Sequence, residues 1–320
     1  EVVAAVRASL PAEPPRIPAE PRSAAPSPTA SSPTASSPTV SGSSSGPVGA
    51  FAGKVAVVTG AGHGLGKVIA TRLAEGGATV VINAFHAREA GEATARSLVA
   101  AGHRAIAVWG SVANEEHVAQ LFDRVEGELG GVDLLVCNAS DGRLGPFAEL
   151  TGRDWDRAFR TNVSGHFQCA LRASASMARR GGGSIVTLST VGAHRYVRGF
   201  GSQGVVKAAV EAMTRYLACE LAPSGIRVNC VAAGPIYGEL LDKFTDPTAI
   251  PTWEAITPGG SLCTEDEVAR VVAFVLSDDA VAFNGAVIPV DRGMSSHVDG
   301  RLELPTVVPL ASRVGQGRAS

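Results

Sequence analysis

A glycine-rich stretch near residue 60 has the residue types and the spacing needed to bind phosphate groups. It reads Thr59-Gly60-Ala61-Gly62-His63-Gly64-Leu65-Gly66 and lies between an apolar run, Val55-Ala-Val-Val58, and a helical pattern. In such a turn, Gly60 would permit a sharp bend, Gly64 would let the backbone approach a pyrophosphate, and Gly66 would let the helix pack on the strand. The exposed N–H groups and the helix dipole favour the phosphate charge. This strand–turn–helix context predicts a dinucleotide site; the alternative is an ordinary glycine-rich connection.

The end of the second apolar run bears on which dinucleotide would bind. An acidic residue there accepts hydrogen bonds from the ribose 2′-hydroxyl of NAD, whereas a basic residue accommodates the 2′-phosphate of NADP. After Val81-Ile82-Asn83 no Asp or Glu occurs before Glu89, while His86 and Arg88 lie in between and His63 lies in the glycine turn. The pattern favours NADPH. The alternative is that Arg88 is only a solvated residue in the first turn of a helix.

These residues need a scaffold, and the chain predicts one from about residue 54 to about residue 294. Seven short apolar runs predict strands, at 55–58, 79–82, 105–109, 132–137, 184–188, 226–231 and 286–290. Helical patterns lie between them, at 65–76, 87–101, 114–129, 154–179, 204–222 and 265–277. Strands that alternate with helices predict an α/β fold, a single Rossmann-type doubly wound domain with a seven-stranded parallel sheet. Continuous apolar runs are expected for strands that helices cover on both faces.

The N-terminal segment has a different composition. Ten of the 19 prolines, together with ten serines, lie between Pro11 and Pro47. Such a stretch has too little apolar surface to offset the entropy of ordering. We therefore predict four parts: residues 1–10 as the candidate end of an upstream domain, 11–50 as a disordered Pro/Ser/Ala-rich linker, 51–298 as the folded domain and 299–320 as a C-terminal tail. For residues 1–10 and 11–50, the alternative is an N-terminus that is merely disordered.

Composition also excludes some classes of function. Lys plus Arg total 28 and Asp plus Glu total 30, so the formal charge of −2 argues against a general nucleic-acid binder. No segment approaches the roughly 20 apolar residues of a membrane span. The five cysteines show no CxxC pairing, which predicts neither a disulfide framework nor a zinc site. We expect a cytoplasmic protein that binds no metal, no nucleic acid and no membrane.

Several segments together resemble the short-chain dehydrogenase/reductase superfamily. They are the glycine turn, Cys137-Asn138-Ala139, Asn162 and the stretch from Ser189 to Lys207, within a similarity that spans about residues 52–294. The resemblance looks closest to the NADPH-dependent enoyl-acyl-carrier-protein reductases of type III. It implies an NADPH-dependent reductase that acts on an enoyl or β-keto thioester, carrier-tethered, in fatty-acid or polyketide biosynthesis. It also implies a homodimer or homotetramer. A ketoreductase or alcohol dehydrogenase on a small molecule is the alternative enzyme.

The resemblance also implies roles for single residues. Lys207 matches the lysine that holds the coenzyme ribose, Asn162 the asparagine that supports a proton-relay water, and Ser189 the active-site serine. With the glycine turn, it predicts the following coenzyme contacts: Gly60, His63, Gly64, Leu65, Gly66, His86, Arg88, Ser111, Val112, Asn138, Ala139, Lys207, Pro235 and Ile236. Two departures concern the same site. Ser111 stands where an Asp often contacts the adenine, and the segment 235–238 lacks the common Thr that would contact the carboxamide or the pyrophosphate.

The family pattern breaks at its catalytic tyrosine. Ketoreductases carry the tyrosine four residues before the lysine, which is Gln203 here, and enoyl reductases carry it seven before, which is Phe200. Gln203 can donate an amide hydrogen bond to an oxyanion but cannot act as an acid, and Phe200 can do neither. Three alternatives stay open. Tyr196 is a displaced acid; or Ser189, water or the coenzyme 2′-hydroxyl serves the oxyanion; or the domain is a redox-inactive nucleotide-binding scaffold or gate.

The stretch from residue 237 to residue 253 is expected to form a substrate lid. Apolar walls for an acyl chain would come from the following side chains: Phe200, Tyr237, Leu240, Leu241, Phe244 and Trp253. The alternative is routine packing of a mobile loop.

Overall fold

Seven parallel strands form the central sheet of the computed structural model, which describes residues 49–238, 241 and 249–296. In sheet order they are β3 (Arg104–Trp109), β2 (Thr79–Ala84), β1 (Val55–Val58), β4 (Leu134–Cys137), β5 (Gly183–Thr190), β6 (Ile226–Ala233) and β9 (Val287–Val290). The order runs outward from β1 in both directions, so a switch point lies between β1 and β4, where doubly wound folds bind their ligands. The predicted seven-stranded α/β sheet is confirmed. The predicted upstream end and tail, the predicted linker apart from residues 49 and 50, and the lid residues Leu240 and Phe244 lie outside the described residues.

Eight helices are described, and six of them cover the two faces of the sheet. They are α1 (Gly64–Glu75), α2 (Arg88–Ala100), α3 (Glu115–Leu129), α4 (Gly152–Phe159), α5 (Gly165–Arg179), α6 (Gly201–Leu221), α7 (Ala249–Ile256) and α8 (Glu265–Leu276). Every residue of β1, β2 and β4 is buried. One face of the sheet packs on α1, α2 and α8, and the other packs on α3, α5 and α6. Burial on both faces explains why these strands are almost entirely apolar, with Thr79 and Asn83 of β2 as the polar exceptions.

The predicted helix at 154–179 is wrong as a single element. The structure divides it into α4, a π-helical turn at Arg160–Ser164, and α5. The buried side chain of Asn162 donates to Ala158 O at 2.9 Å and to Asp141 O at 2.7 Å. The wider turn directs this amide inward, and single π turns inside helices occur frequently at functional sites.

A second, two-stranded sheet was not anticipated, because its strands have only two residues each. β7 (Ile236–Tyr237) pairs in parallel with β8 (Cys263–Thr264), with Tyr237 opposite Thr264. Thr264 also caps α8 in a reciprocal capping box with Glu267. This pairing brings the first turn of α8 against the segment that follows β6, at the carboxyl edge of the main sheet.

Candidate active site

The glycine turn and the start of α1 form what we call the phosphate cradle (residues 59–66 with the N-terminal turn of α1). Gly60 and Gly64 have φ angles of 65° and 56°, in the left-handed region that favours glycine. A Cβ on Gly66 would lie 2.4 Å from Asn138 Nδ2 and 2.4 Å from Gly60 O. The sharp bend predicted for Gly60 and the close helix approach predicted for Gly66 therefore have geometric reasons here, and the approach of Gly64 to a pyrophosphate stays a prediction.

Asn138 fixes the shape of the turn from the neighbouring strand end. Its Nδ2 donates to Thr59 O and to Gly60 O, both at 3.0 Å. The backbone N–H groups of Asn138 and Ala139 donate to Thr59 Oγ1, also at 3.0 Å. The turn is held before any ligand binds, which lowers the entropic cost of binding one.

The N terminus of α1 is suited to an anion. Among the described residues no side chain caps this 12-residue helix, and its first turn contains no acidic residue. The free N–H groups and the helix dipole then favour a phosphate. A cradle that favours glycine at 60 and 64 by its backbone angles and at 66 by close packing, beside a helix end without a side-chain cap, fits the pyrophosphate of a dinucleotide.

The predicted contacts for the adenosine end lie around β2 and β3. His86 and Arg88 are exposed, and Arg88 pairs with Glu92 on the same helix at 3.0 Å. The N–H of Ser111 donates to His117 Nδ1 at 3.2 Å, and Val112 is buried. The basic groups are accessible to a 2′-phosphate, which would have to compete with Glu92 for the guanidinium of Arg88.

Lys207 extends from α6 into the sheet edge and is buried. Its Nζ donates to Leu188 O at 3.0 Å, which uses one of its three protons. Burial lowers the pKa of Lys207 to about 8, because a charged amine is poorly solvated there. A buried ammonium with protons to spare fits the hydroxyls of a coenzyme ribose.

Four polar residues form what we call the amide network (Ser140, Asp141, Asn162 and Gln203). Asn162 Nδ2 and Gln203 Nε2 both donate to Asp141 O, at 2.7 Å and 2.9 Å. Ser140 Oγ donates to Asn162 Oδ1 at 2.7 Å. A Cβ on Gly142 would lie 2.1 Å from Gln203 Nε2, so the glutamine amide fills the space above the loop after β4. One amide proton of Gln203 is thus fixed on Asp141 O, and no bond from the second one occurs among the described residues.

His166 was missed by the sequence analysis. It is buried on α5, and its Nε2 lies 2.9 Å from Ala139 O. Burial, and secondarily the charge of Lys207, lower the pKa of His166 to about 3, so the ring is neutral. A neutral ring bonded to a carbonyl donates from Nε2, so His166 holds the strand end that carries Asn138 and Ala139. A single histidine in an apolar helix gave no signal that could have distinguished it from core packing.

Ser189 lies at the predicted strand end, but its hydroxyl is turned towards α6. Its Oγ donates to the buried Glu211 Oε1 at 2.6 Å, and the other oxygen of Glu211 meets His194 Nε2 at 2.5 Å. Because side chains alternate along a strand, Thr190 projects to the opposite face. No hydrogen bond from the Thr190 hydroxyl occurs among the described residues. The period of two along β5 is the signal that singles out Thr190 as a second candidate.

The two aromatic candidates on the loop before α6 have different surroundings. Tyr196 is 91% exposed, so its hydroxyl lies in solvent. Phe200 is partly buried and packs against Gly192, where a Cβ would lie 2.6 Å from Phe200 Cδ1. The structure places Lys207 and Gln203 one turn apart on α6. Asn162 and Gln203 meet because both donate to the carbonyl of Asp141. Tyr196 does not lie with Lys207, Gln203 and Asn162, and the role of Tyr196 as an acid stays a prediction.

The described part of the predicted lid is a short helix tied to β7. The hydroxyl of Tyr237 donates to Glu254 on α7, and Leu262 N donates to the same hydroxyl at 3.3 Å. The bond to Glu254 raises the pKa of Tyr237. Leu241 is buried and Trp253 is partly buried. Pro235 and Ile236 begin this segment beside the sheet edge, as a coenzyme contact requires.

No group of three or more His, Cys, Asp or Glu side chains within residues 49–238, 241 and 249–296 could hold a metal ion. Within the same ranges, no helix is both long enough and apolar enough to cross a bilayer.

Comparison with known proteins gives consistent matches over the folded part. A family model described as enoyl-(acyl carrier protein) reductase matches residues 60–295. A short-chain type dehydrogenase/reductase of Picea abies is 36% identical over 249 residues, covering 75% of this chain and 92% of that protein. A 3-oxoacyl-(acyl-carrier-protein) reductase of Staphylococcus aureus is 34% identical over 241 residues, covering 75% of this chain and 98% of that protein. A gluconate 5-dehydrogenase from Burkholderia cenocepacia, solved in complex with NADP and tartrate, superposes with a TM-score of 0.73 at 29% identity. That alignment covers 77% of this chain and 97% of the solved one.

Proposed function

We propose, from the premise that this chain belongs to the short-chain dehydrogenase/reductase superfamily of NAD(P)-dependent oxidoreductases, that it reduces enoyl or β-keto thioesters with NADPH. One observation supports the proposal. The buried ammonium of Lys207 and the phosphate cradle lie at the same sheet edge; within the described residues, Lys207 bonds to one carbonyl and the start of α1 has no side-chain cap. A dinucleotide needs both features, one for its pyrophosphate and one for its ribose.

The choice of NADPH has support from the adenosine end of the site. His86 and Arg88 are exposed beyond β2, and no acidic residue precedes Glu89 there. The solved gluconate 5-dehydrogenase was crystallised with NADP. We propose that Arg88 leaves Glu92 and pairs with the 2′-phosphate, because a dianion attracts a guanidinium more strongly than one carboxylate does.

The residues at the sheet edge also suggest how reduction proceeds without the usual tyrosine. When bound, NADPH supplies a hydride, and negative charge then develops on the thioester or ketone oxygen. Lys207 offers a positive charge, Gln203 a second amide proton, and Thr190 an unshared hydroxyl. Donors fixed before the reaction stabilise such a charge most effectively. We propose that Gln203 and Thr190 hold the oxygen and that solvent delivers the final proton.

The substrate class is supported by the family model and by the acyl-carrier-protein reductase among the relatives. The lid offers an apolar wall at the buried Leu241, beside the anchored Tyr237. We propose an acyl thioester, carrier-tethered, in fatty-acid or polyketide assembly. A small free ketone is the comparison substrate, because other relatives are named as dehydrogenases of small molecules.

A second candidate function is a redox-inactive domain that binds coenzyme. The observation that favours it is the amide of Gln203, which is bonded to Asp141 O where the family carries an acid. Such a domain would keep the phosphate cradle and Lys207 but would not transfer hydride.

We also propose a homodimer or homotetramer. Large apolar side chains stay exposed on the outer faces of α5 and α6: Phe167, Val205 and Tyr216, the last at 71%. Light scattering coupled to gel filtration tests this. We expect a mass of two or four times that of the 32.6 kDa chain. A monomer at micromolar concentration would overturn the proposed homo-oligomer.

The function is tested on the full chain in two steps. NADPH is titrated by fluorescence, and its consumption is then followed with crotonyl- and acetoacetyl-thioesters and with a small free ketone. Saturable binding and faster turnover of a thioester are expected. Binding without turnover supports the redox-inactive domain, and absence of binding refutes both candidates.

A further inference from the structure

One face of α4 and of the π turn that follows it is rich in arginine. Arg153, Arg157 and Arg160 are spaced four and three residues apart, so they lie on the same side of the helix. Together with Ala113, in the loop after β3, they line a cleft of about 400 Å³. Asp156 lines the same cleft, so three guanidinium groups and one carboxylate give it a net charge of +2. We call the three arginines the arginine face.

The arginine face is exposed and only partly neutralised by its neighbours. The guanidinium of Arg157 lies 3.6 Å from a carboxylate oxygen of Asp141 and 4.0 Å from one of Asp154. In the part of the chain that the structure describes, no ion pair involves Arg153 or Arg160. Two guanidinium groups at the ends of the face are therefore accessible to a negatively charged ligand.

The spacing of these charges indicates the kind of ligand. Arg153 and Arg160 are seven residues apart, which corresponds to about 10 Å along a helix. Charges spread over two turns match carboxylates that recur every three or four residues on a facing helix, rather than one small anion. Guanidinium groups bind carboxylates through two parallel hydrogen bonds, and arginine is enriched at protein interfaces. The face is therefore suited to an acidic helix of a partner protein.

The arginine face also adjoins the amide network. Arg157 lies beside the carboxylate of Asp141. The carbonyl of Asp141 accepts from Asn162 Nδ2 at 2.7 Å and from Gln203 Nε2 at 2.9 Å. Thr161 lines the cleft and directly precedes Asn162 in the π turn. A partner bound to this face would therefore lie next to the residues proposed to hold the substrate oxygen.

We propose that the arginine face docks an acidic helix of the carrier protein that delivers the thioester. The inference rests on the proposed function, because only a carrier-tethered substrate needs a docking surface beside the site. The whole chain has a formal charge of −2, so this positive cleft does not follow from a basic composition. Opposite charges on the two partners would speed their association and orient the carrier towards the site.

Steady-state kinetics of the full chain with NADPH test this proposal, with a crotonyl group presented on an acidic acyl carrier protein, on coenzyme A and on N-acetylcysteamine. The variant is R153Q/R160Q, which leaves the pair of Arg157 and Asp141 in place. Its KM for the carrier thioester is expected to rise about three- to tenfold, the effect of losing two exposed ion pairs, with kcat unchanged. The rise should shrink as salt is added. The KM values for the other two thioesters should stay within about twofold, because neither carries an acidic helix.

K54Q/R104Q is the matched control. It removes two exposed charges beside the starts of β1 and β3, at the opposite edge of the sheet, and should leave all three KM values unchanged. R153E/R160E gives a second measurement if R153Q/R160Q fails to fold, as judged by its melting temperature, and a larger rise in KM is expected for it.

Three results would overturn the inference alone. They are an unchanged KM for the carrier thioester in the variant, an equal rise for the coenzyme A thioester, and wild-type turnover of the two small thioesters without turnover of the carrier thioester. The second of these would identify the cleft as a phosphate site. Absence of turnover of every thioester by the wild type overturns the proposed function instead.

Discussion

The phosphate cradle and the amide network lie on the same edge of one sheet, yet their side chains are held for different purposes. In the cradle, glycines, Asn138 and Thr59 fix the backbone and leave N–H groups free at the start of α1. In the amide network, Gln203 and Asn162 both donate to the carbonyl of Asp141, and Asn162 also donates to Ala158 O. The first region is prepared for a ligand and the second is largely satisfied by the protein.

The comparison of the phosphate cradle with the amide network indicates which part of the family chemistry depends on a single residue. Phosphate binding is distributed over backbone groups and close helix packing, so no single side chain carries it. Proton delivery depends on one hydroxyl, and its replacement by Gln203 changes the site without disturbing the fold around it.

Closing the gap between α1 and Asn138 should break the cradle. In Gly66→Ala the new Cβ would lie 2.4 Å from Asn138 Nδ2 and from Gly60 O. We expect NADPH to bind more weakly and turnover to fall by about 100-fold, since a misplacement of about 1 Å can lower a rate this much. The loss of stability should be about 1–3 kcal/mol. Calorimetric titration and thermal unfolding measure both.

Gly127→Ala is the matched control, because Gly127 lies in α3 and a Cβ there would meet nothing within 4 Å. Unfolding free energy should rise by about 1 kcal/mol, with NADPH affinity unchanged. Equal effects from the two alanines would show that the cradle has no special role.

Removing the charge at position 207 should affect both regions. In Lys207→Met we expect turnover to fall about 1,000-fold, the upper range for loss of an electrostatic donor, with a higher KM for NADPH. Steady-state kinetics with varied NADPH test this. A variant with normal kinetics would remove Lys207 from the mechanism.

The pH profile of the wild type reports on the same lysine. Its pKa is lowered to about 8 by burial, so its charge is present below that pH and is lost above it. The groups that face it stay neutral through this range. Burial raises the pKa of Cys137 and that of Cys230, the latter to about 12, and it lowers that of His166 to about 3. NADPH affinity should therefore decline above about pH 8, and a flat profile to pH 10 would contradict this.

Gln203→Ala tests whether the amide network contributes to catalysis. Loss of one oxyanion donor lowers the rate by about 100-fold, and the KM for NADPH should change little because the cradle is untouched. Single-turnover measurements with saturating NADPH isolate this step. Unchanged turnover would show that Gln203 only fills the space above Gly142.

Removal of the Thr190 hydroxyl and removal of the Ser189 hydroxyl, both at the end of β5, should have different effects. Thr190→Val is expected to lower turnover about tenfold, as loss of a neutral hydrogen bond of about 1.4 kcal/mol would. Ser189→Ala should leave turnover within about twofold and lower the melting temperature, because Ser189 bonds to the buried Glu211 at 2.6 Å. Kinetics and thermal unfolding of both variants decide this. The reverse pattern would restore Ser189 as the active-site hydroxyl.

Tyr196→Phe should have the smallest effect. The ring is 91% exposed, so we expect turnover within about twofold of the wild type. A tenfold loss, with binding unchanged, would show that the loop closes and carries Tyr196 into the site. Arg198→Lys, on the same loop, is the control for a general disturbance.

The sheet and the cradle could be predicted from the sequence because their signals are local. Apolar runs specify buried strands, and the glycine spacing in residues 60–66 specifies a turn with a defined backbone. The amide network could not be predicted in the same way. Asn162, in the π turn, bonds to the Asp141 carbonyl 21 residues away in the chain, and Gln203 reaches the same carbonyl from α6. The orientation of Ser189 towards Glu211 likewise depends on tertiary contacts, although the alternation of side chains along β5 indicates that Ser189 and Thr190 face opposite sides.

The central claim is that this protein binds NADPH in an intact cradle and transfers its hydride although the family tyrosine is replaced. NADPH deuterated at the reactive C4 position, incubated with the full chain and a crotonyl or acetoacetyl thioester, tests it most directly by mass spectrometry of the product. We predict one deuterium at the β-carbon, from one face of the nicotinamide only. Saturable NADPH binding with no deuterium in either product would contradict the claim.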